Sequence, residues 1–487
     1  MRIIFFSPYF SFKGSVYVFY RASVPLNLLY IANYLRKFRI DSRVFDLGIL
    51  DEKDVIRKNG SVRCGISDEA IVEILTSENP EIVGISSMFT IFHSDIVEII
   101  KTIKRFNPKI RVVVGGNHAS CFPGLILESG ADQVVVGEGE RAFVSVAKGN
   151  KDKIINFSLM ECLDEIPFPF MNPAAFRRYS HVSNPYLMRP PAAGIITSRG
   201  CPNDCIYCTV NGVWKRRWRG RSPENVVDEM FILKRDFGIR EIHFLDDNVS
   251  VDRERWMGIL DLMIKRRLNI KFATPMAYWT IDEEVLDKMK AAGCYRLSFG
   301  IESGDKNTRK FIGKNYPLGY GLEMIKYANK IGLWTITTNI IGFPYEDRAA
   351  IQNTIDFAKN CETDFACFFN LIPHASSRVY PYFIKEKFIS ENDDIMSIMN
   401  EGGCRTLHFT KDELKALQKE AYAEFIRHKI RFYLRHPFAL ARKIRSIEDL
   451  FYMLKLIRFG VFMTLRSLST KVAATSKDFI YGKRQYV

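Results

Sequence analysis

The sequence has no long apolar segment. No window of about 18–20 residues is both free of charge and apolar enough to span a bilayer. The apolar start, Ile3–Phe6 followed by Pro8, lacks the cleavage site of a signal peptide. We therefore expect neither a spanning helix nor a secretory leader, and we interpret the start as a buried first strand.

The cysteines also lack the rhythm of a disulfide framework. The chain has 10, and those outside one short motif are scattered: Cys64, Cys121, Cys162, Cys294, Cys361, Cys367 and Cys404. Scattered thiols fit a reducing, cytoplasmic compartment.

Acidic residues are in deficit, because 55 Asp and Glu oppose 70 Lys and Arg and leave a net charge of +15. Such an excess of cations indicates an anionic partner without naming it.

Residues 1–150 have the pattern of a doubly wound, Rossmann- or flavodoxin-like α/β domain. Short apolar runs, typical of buried parallel strands, alternate with helical patterns such as Leu26–Arg39 and Ser94–Phe106. The predicted strands are Ile3–Phe6, Arg43–Leu47, Ile82–Ser86, Arg111–Gly115 and Gln133–Val136. Ligands bind at the carboxyl ends of such strands. Glycines cluster there, in Gly115-Gly116 and in Gly137-Glu138-Gly139-Glu140, and glycine lets a backbone approach a bulky ligand closely.

A second β–α series follows a proline-rich connector at 151–192. Helical patterns such as Pro223–Phe237 separate its strands. The predicted strands are Ala193–Ser198, Glu241–Leu245, Lys271–Thr274, Arg296–Gly300, Trp334–Ile341 and Phe365–Ile372. This series predicts a barrel-like domain over 193–385 with its active site at the carboxyl ends of the strands. Residues 386–487 form a third, helical and basic region.

Three cysteines lie close together, Cys201, Cys205 and Cys208, in a CxxxCxxC spacing. A [4Fe–4S] cluster usually takes four thiolates, so three thiolates on one loop leave one iron open for a small molecule. The alternatives are a zinc knuckle or three buried thiols. A zinc site usually pairs CxxC with a second pair of ligands, and no second pair follows soon after this motif.

This cysteine loop, residues 199–208, resembles that of radical SAM enzymes, in which S-adenosylmethionine (SAM) binds the open iron through its amino and carboxylate groups. The resemblance implies a partial (β/α)6 barrel of the TIM type whose first strand precedes the loop. It also implies that Tyr207 lies near the adenine of SAM.

The same resemblance assigns SAM contacts to the ends of later strands. Asp246 and Asp247 stand where other members have a GGE ridge, here without its glycines, and are expected to accept hydrogen bonds from the methionyl ammonium. Glu302 and Ser303 match a GxES motif beside the ribose or methionyl part of SAM. Gly342 begins a G-x-P-x-E turn that would lie beside the adenine. The alternative for each acid is a carboxylate at a helix N-terminus.

The N-terminal glycine loops, placed before such a cysteine loop, resemble the cobalamin-binding domain of B12-dependent radical SAM enzymes. That family has GGxHA and GEGE after strands four and five, and this chain matches them with Gly115, Gly116 and His118 and with Gly137 and Glu138. The DxHxxG motif is missing, so no histidine is expected on cobalt.

Two serines extend this cobalamin resemblance. Ser86 and Ser87 close the third predicted strand, at a position that faces the corrin in the family. For His118, the alternative to a place in the cobalamin site is a loop histidine that caps a helix.

Two basic segments remain. The run Lys215–Arg221, with Trp214 and Trp218, has the cations and aromatics of a nucleic-acid contact. The resemblance includes a similar stretch, however, so we expect these cations to bind the SAM carboxylate or a substrate anion and expect no nucleic acid.

In residues 415–487, 16 Lys or Arg oppose 5 acids in a helical pattern. This tail is either a helical cap with a solvated basic surface or an amphipathic helix at an anionic membrane.

The resemblance implies a cobalamin-dependent radical SAM methyltransferase located in the cytoplasm, at the membrane periphery if the tail binds lipid. A 5′-deoxyadenosyl radical would abstract hydrogen from an unactivated carbon of a small-molecule or lipid-like substrate, and methylcobalamin would deliver the methyl group. The cluster implies a reductant such as flavodoxin or ferredoxin. The alternatives are a non-methylating cyclase or oxidoreductase of the BchE type and a cluster- and cobalamin-binding sensor without turnover.

The cysteine motif generates the first prediction. Replacing Cys201, Cys205 and Cys208 together with Ala removes the only close set of thiolates, so anaerobic reconstitution should yield no [4Fe–4S] absorption or spin signal. Cys361→Ala and Cys367→Ala are the controls and should keep the cluster. A triple variant that still showed the cluster would refute the assignment.

Overall fold

The structure is a computed structural model, which describes residues 1–13, 23–48, 55–58, 61–180, 187–390, 398, 402–444 and 446–468, with side chains of the last helix up to Arg458. The chain forms two compact units, Met1–Leu187 together with the segment from Lys455 onward, and Met188–Leu454. Within the described ranges, no helix is long and apolar enough to cross a membrane. The domain boundaries proposed at 150, 192 and 385 stay predictions.

A six-stranded parallel sheet organises the first unit. Its strands, in spatial order, are β3 (Ser42–Asp46), β1 (Ile3–Ser7), β6 (Ile82–Ser86), β7 (Arg111–Gly115), β8 (Gln133–Val136) and β9 (Ile154–Asn156). Five of these are the predicted strands, each within one residue, so the doubly wound fold is confirmed. Because the chain crosses from β3 on one side of β1 to β6 on the other, the switch point lies between the carboxyl ends of β1 and β6, where ligands bind in such sheets.

Helices cover this sheet, and apolar side chains fill the space between the layers. On one face, Ile4, Phe6, Val83, Ile85 and Val114 are at most 2 % exposed and pack with the helical Ile96, Ile99 and Ile103. Burial on both faces explains why the strands read as continuous apolar runs. The helices of this unit are α1 (Leu26–Arg36), α2 (Asp68–Glu78), α3 (His93–Phe106), α4 (Asn117–Cys121), α5 (Pro123–Glu128), α6 (Gly139–Ala147) and α7 (Pro173–Ser180).

A small antiparallel sheet also belongs to the first unit. Its strands, in the order β2 (Phe10–Lys13), β5 (Ser61–Cys64) and β4 (Val55–Lys58), were not predicted. Each has four residues and mixes charged with apolar side chains, so the sequence shows no long run that marks a strand.

The second unit contains a second six-stranded parallel sheet. Its strands follow chain order: β10 (Ala192–Ile195), β13 (Glu241–Phe244), β14 (Lys271–Met276), β15 (Cys294–Glu302), β16 (Trp334–Ile341) and β17 (Phe365–Asn370). All six were predicted, with ends that shift by up to three residues. A two-stranded ribbon of β11 (Ser198–Arg199) and β12 (Arg219–Gly220) brackets the cysteine loop. Six parallel strands with intervening helices confirm the partial (β/α)6 barrel.

The helices between these strands begin and end where the sequence indicates. Ser222, before Pro223, accepts a hydrogen bond from Asn225 N, and Gly238 ends the same helix in a left-handed conformation. The helices between the strands are α8 (Val210–Trp214), α9 (Pro223–Phe237), α10 (Arg253–Lys265), α11 (Glu283–Ala292), α12 (Lys306–Phe311), α13 (Leu318–Lys330) and α14 (Arg348–Asn360). After β17 come α15 (Tyr380–Lys385), α16 (Lys411–Arg435), α17 (Phe438–Ala441) and α18 (Ile447–Leu468), the last of which runs past Leu454, where the second unit ends.

Helix α16 caps the barrel beside β17. It starts with a capping box, in which the Thr410 side chain accepts from Glu413 N and the Glu413 carboxylate accepts from Thr410 N. Its buried face packs into one apolar cluster with β16, β17 and α14; the members that it contributes are Leu414, Leu417, Ala421 and Phe425. The start of the basic tail is therefore a helical cap, one of the two alternatives that the sequence left open.

The cap generates a stability prediction. Phe425→Ala should lower the free energy of unfolding of the second unit by about 3–5 kcal/mol, because it removes a buried ring from this cluster. Ile430→Ala, at a site that is 56 % exposed on the same helix, should change it by less than about 0.5 kcal/mol. Urea unfolding of the full chain measures both, and equal shifts would contradict the packing of α16 on the barrel.

Candidate active site

A cavity of about 250 Å³ lies at the carboxyl ends of β14, β15 and β16. It brings the sulfurs of the cysteine loop together with Tyr207, Asp247 and Glu302 from the predicted SAM site. Much of the wall comes from residues that the sequence did not single out: Asn203, Val210, Asn211, Asn248, Pro275, Met276, Ala277, Trp279, Ser298, Gly300, Lys314 and Thr338. A concave site with mixed polar and apolar walls at this end of a barrel is suited to bind a ligand.

The cysteine loop places a hydrogen-bond donor beside one of its sulfurs. Asn203 Nδ2 donates to Cys201 Sγ at 3.3 Å, and Tyr207 lines the same cavity as Cys205. Burial raises the pKa of the Cys208 thiol to about 11, so the thiolate form needs a compensating positive charge such as iron. Donors to sulfur also stabilise the reduced form of an iron–sulfur cluster.

The three thiols fit a cluster better than a single metal ion. Over the described ranges, no three Cys, His, Asp or Glu side chains converge on a point that suits one ion, yet the three thiols line one cavity. In a [4Fe–4S] cluster each thiolate binds a different iron, so the sulfurs stand apart. Asn211, on the same wall, keeps a buried Oδ1 without a hydrogen-bond partner among the described residues, and this acceptor is available to a ligand.

Asp246 and Asp247 follow β13 side by side and have different surroundings. The buried carboxylate of Asp246 accepts hydrogen bonds from Thr197 N at 3.1 Å, Thr197 Oγ1 at 2.8 Å and Ser198 Oγ at 2.5 Å, and it does not line the cavity. Asp247 lines the cavity and accepts from Gly200 N at 2.9 Å. Asp246 therefore anchors the segment before the cysteine loop, and the predicted contact with the SAM ammonium stays a proposal for Asp247.

Glu302 ends β15 in an unusual conformation and is paired with a cation. Its φ is +66°, and the pairing with β16 shifts register at Gly300. A left-handed non-glycine residue costs about 1–3 kcal/mol and persists where the surroundings enforce it, often at functional sites. Lys314 Nζ donates to the Gly300 carbonyl and lies 3.3 Å from Glu302 Oε1, and its side chain is only 4 % exposed. The cavity therefore contains a buried ion pair that the sequence did not predict.

An aromatic pair joins this ion pair to the cysteine loop. The Lys314 ammonium lies 5.1 Å from the centre of the Trp279 ring, and Trp279 stacks on Tyr316 with ring centroids 4.2 Å apart. The Tyr316 hydroxyl donates to Asn203 Oδ1 at 3.3 Å. The same Asn203 donates to Cys201, so one set of contacts positions both the acid and the sulfurs.

Ser303 and Gly342 are not among the residues that line the cavity. Ser303 is fully buried, its hydroxyl 3.1 Å from Thr354 Oγ1. Gly342, at φ +86°, donates its N–H to Glu346 at 2.8 Å. Burial raises the pKa of Glu346 to about 8, and its carboxyl group closes the turn. The structure gives these residues roles in shaping the strand ends, and their SAM contacts stay predictions.

The basic run after the cysteine loop is partly internal. Arg221 is 5 % exposed, is paired with Glu229, and donates to the Ile196 carbonyl at 2.9 Å. Arg219 is 6 % exposed and lies over the Trp214 ring. Because these two guanidinium groups are buried, the run does not present a continuous cationic surface to nucleic acid.

The first unit places the predicted cobalamin residues at the carboxyl ends of its strands. Ser87, directly after β6, has a buried hydroxyl without a hydrogen-bond partner among the described residues, whereas Ser86 accepts from Asn27 at 2.6 Å. A Cβ added to Gly137, at φ +87°, would meet no atom within 4 Å. The orphaned hydroxyl and the open space both fit a bulky ligand that lies against the end of the sheet.

The remaining glycine-loop residues hold the loops in shape. Gly115 ends β7, and Gly116, at φ +113°, lies so close to Ser87 that a Cβ would be 2.6 Å from the Ser87 carbonyl oxygen. The Glu138 carboxylate accepts from Met160 N at 2.6 Å. These contacts fix the two loops that follow β7 and β8.

His118 is buried, and both of its ring nitrogens have partners. Nε2 lies 3.0 Å from His93 Nδ1, and Nδ1 lies 3.1 Å from Thr90 Oγ1. His118 belongs to helix α4, which starts directly after Gly116. These contacts hold the His118 ring in place, and the expectation that no histidine binds cobalt stays a prediction.

Two family models match the chain. The radical SAM superfamily matches residues 195–358, and the B12 binding domain matches residues 16–147. An uncharacterized methyltransferase of Pyrococcus horikoshii is 30 % identical over 454 residues, 88 % of this chain and 94 % of the relative. The cytidylyl-2-hydroxyethylphosphonate methyltransferase of Streptomyces wedmorensis is 28 % identical over 79 % of this chain and 82 % of its own length.

A solved structure has the same fold. The radical SAM methyltransferase TsrM from Kitasatospora setae, with tryptophan and a SAM analogue bound, covers 79 % of this chain and 76 % of its own length with a TM-score of 0.65 at 17 % identity.

The fold and these similarities define an enzyme that combines a B12-binding domain with a radical SAM barrel. The chain belongs to the family of cobalamin-dependent radical SAM enzymes, whose members include methyltransferases. Its cofactors are a [4Fe–4S] cluster, SAM and cobalamin. Because the family is enzymatic, the sensor without turnover is not supported.

The ion pair generates a binding prediction. Lys314→Met should raise the Kd for SAM of the cluster-loaded protein about 10- to 100-fold, because Glu302 loses the cation that orients it, and hydrogen bonds to charged groups contribute about 1.5–3 kcal/mol. Lys310→Met, at an exposed site in the same unit, is the matched control. Anaerobic calorimetry measures both, and equal affinities would show that the ion pair does not position SAM.

Proposed function

We propose that this chain transfers a methyl group to an unactivated carbon of a small-molecule substrate. The observation that carries the proposal is the cavity in which the three thiols, Asp247 and the Glu302–Lys314 pair meet. The two relatives described above, among others that include cyclases, are named methyltransferases, and one of these two names specifies a small cytidylyl phosphonate. That name supports a small molecule as the substrate class.

The chain's own residues perform three tasks in this proposal. When bound, the cluster and SAM supply the 5′-deoxyadenosyl radical, and cobalamin supplies the methyl group. Cys201, Cys205 and Cys208 hold the cluster. Glu302 and Asp247 accept hydrogen bonds from polar groups of SAM. Lys314 holds the Glu302 carboxylate in position.

Positioning decides whether such a radical reaches its target. A reactive species needs its target held at contact distance, and an enclosed site keeps water and other groups away. Trp279 gives the cavity an aromatic wall, and it stacks on Tyr316 with ring planes that differ by 3°. We assign it the task of holding the adenosyl part or the substrate in a fixed orientation.

Product analysis tests the function. Reduced, fully loaded protein is incubated anaerobically with methyl-labelled SAM and small-molecule fractions of the source cells. The proposal predicts a labelled product together with 5′-deoxyadenosine and S-adenosylhomocysteine in equal amounts, since one SAM is cleaved and a second restores the methyl donor. Cys208→Ala is the control without a complete ligand set and should form none of the three.

Two other outcomes would decide against methyl transfer. Formation of 5′-deoxyadenosine with a changed but unlabelled substrate would show a non-methylating cyclase or oxidoreductase. Labelled product without 5′-deoxyadenosine would show methyl transfer that does not use the radical, and the claim of an unactivated carbon would fall.

A further inference from the structure

The second half of α16 exposes large apolar side chains on one face. Leu434 and Phe438 are 78 % and 82 % exposed, the highest values among the large apolar side chains of the described residues, and Ile426 and Ile430 are 51 % and 56 % exposed. Residues four apart lie on the same face of a helix, so Ile426, Ile430 and Leu434 form a line along α16. Phe438 follows shortly after the end of this helix, as the first residue of α17. We call these four residues the α16 apolar stripe.

The rotation of α16 cannot hide this stripe. The opposite face is fixed in the barrel core by Leu417, Ala421 and Phe425, each at most 5 % exposed. A rotation that turned the stripe inward would expose that cluster to water, which costs about 25 cal/mol of free energy per Å² of apolar surface exposed. The stripe is therefore a stable feature of the second unit, and exposed apolar stripes of this kind mark interaction sites.

Cations accompany the stripe along the helix. Arg427, Arg431 and Arg435 are exposed beside it, and the acid in this half of the helix, Glu424, is engaged by Lys359 at 3.0 Å. Apolar side chains with flanking arginines are the pattern of helices that lie in the interface of an anionic bilayer, where long cationic side chains reach the headgroups.

The stripe lies at the end of the barrel that is remote from the cavity. At the start of α16, Leu414 packs against Gly342, just after β16. Near its end, Tyr433 donates to Asp364, just before β17. The two contacts are 19 residues apart, about 28 Å along a helix at 1.5 Å per residue. An electron donor for the cluster would need a surface near the cysteine loop, so the stripe does not fit a reductant.

We propose that the α16 apolar stripe binds the surface of an anionic lipid bilayer and makes this enzyme a peripheral membrane protein. The chain's own terminal segment does not suit the stripe as a binding partner. Residues 469–487 carry 4 cations and 1 acid, so Arg427, Arg431 and Arg435, the arginine border of the stripe, would repel them. The stripe and its border, rather than the whole tail, carry the interaction.

Vesicle flotation with the full chain tests the proposal. The wild type should float with vesicles of phosphatidylcholine and phosphatidylglycerol and should bind less in high salt, because salt screens the attraction between the arginines and the anionic lipid. With vesicles of pure phosphatidylcholine it should remain at the bottom of the gradient. Leu434→Asp/Phe438→Asp should lower the vesicle partition coefficient by about 100-fold or more, because two anchors are lost. Arg427→Ala/Arg431→Ala/Arg435→Ala should weaken binding and flatten its salt dependence.

The matched control is Phe231→Asp/Ile264→Asp, which places the same substitutions at two other sites of the second unit that are 44 % and 40 % exposed. This variant should float like the wild type. The proposal is overturned if the wild type does not float at low salt, or if both double variants lose binding equally. A wild type that stays down but is a dimer by light scattering, with a monomeric Leu434→Asp/Phe438→Asp variant, would assign the stripe to a second copy of the chain instead.

Discussion

The second unit depends on one buried carboxylate. Asp246 accepts three hydrogen bonds from Thr197 and Ser198, the residues that connect β10 to the cysteine loop. Burial raises the pKa of this acid, and the three donors keep its charge stabilised. Because Asp246 lies two residues after β13 and Thr197 two residues after β10, the bonds join the ends of neighbouring strands where the chain leaves the sheet to form the loop. A cluster ligand set needs this fixed starting point.

Further contacts hold the start of the cysteine loop in place. Gly200 donates to Asp247, and at φ +91° its missing Cβ would lie 1.9 Å from the Arg217 carbonyl oxygen, so only glycine fits. Arg255 donates to the Thr197 carbonyl from the other side. The three cysteines thus lie on a segment that is held at its base by side chains from the residues after β13 and from α10. Pre-organisation of this kind costs nothing further when the ligand binds.

The sequence predicts most of the architecture because strands buried on both faces leave an unmistakable apolar signal. The eleven predicted parallel strands are present, and the structure adds β9 and the short antiparallel elements, whose runs of two to four residues carry little signal. Spacing also singled out the three cysteines that the structure places around one cavity. Both results rest on local patterns, which a single sequence displays in full.

The site contains features that local sequence patterns do not predict. Asp246 and Asp247 are adjacent acids at one strand end, and nothing in their order says that one faces Thr197 and the other the cavity. Lys314 follows a short helix 12 residues beyond Glu302, in a loop without periodicity, so its burial beside that acid arises only when the chain folds back. His118 shows the same limit, since its partners His93 and Thr90 belong to the preceding β–α unit.

The central claim is that the cavity binds SAM at an open iron of a three-cysteine cluster. The most direct measurement is electron–nuclear double resonance of the reduced, cluster-loaded protein with SAM that carries ¹⁵N in its amino group and ¹⁷O in its carboxylate. The account predicts hyperfine coupling of both labels to the cluster, with the ¹⁵N and ¹⁷O signals absent when unlabelled SAM is used. A reduced cluster that gives no coupling to either label while SAM is bound would contradict it.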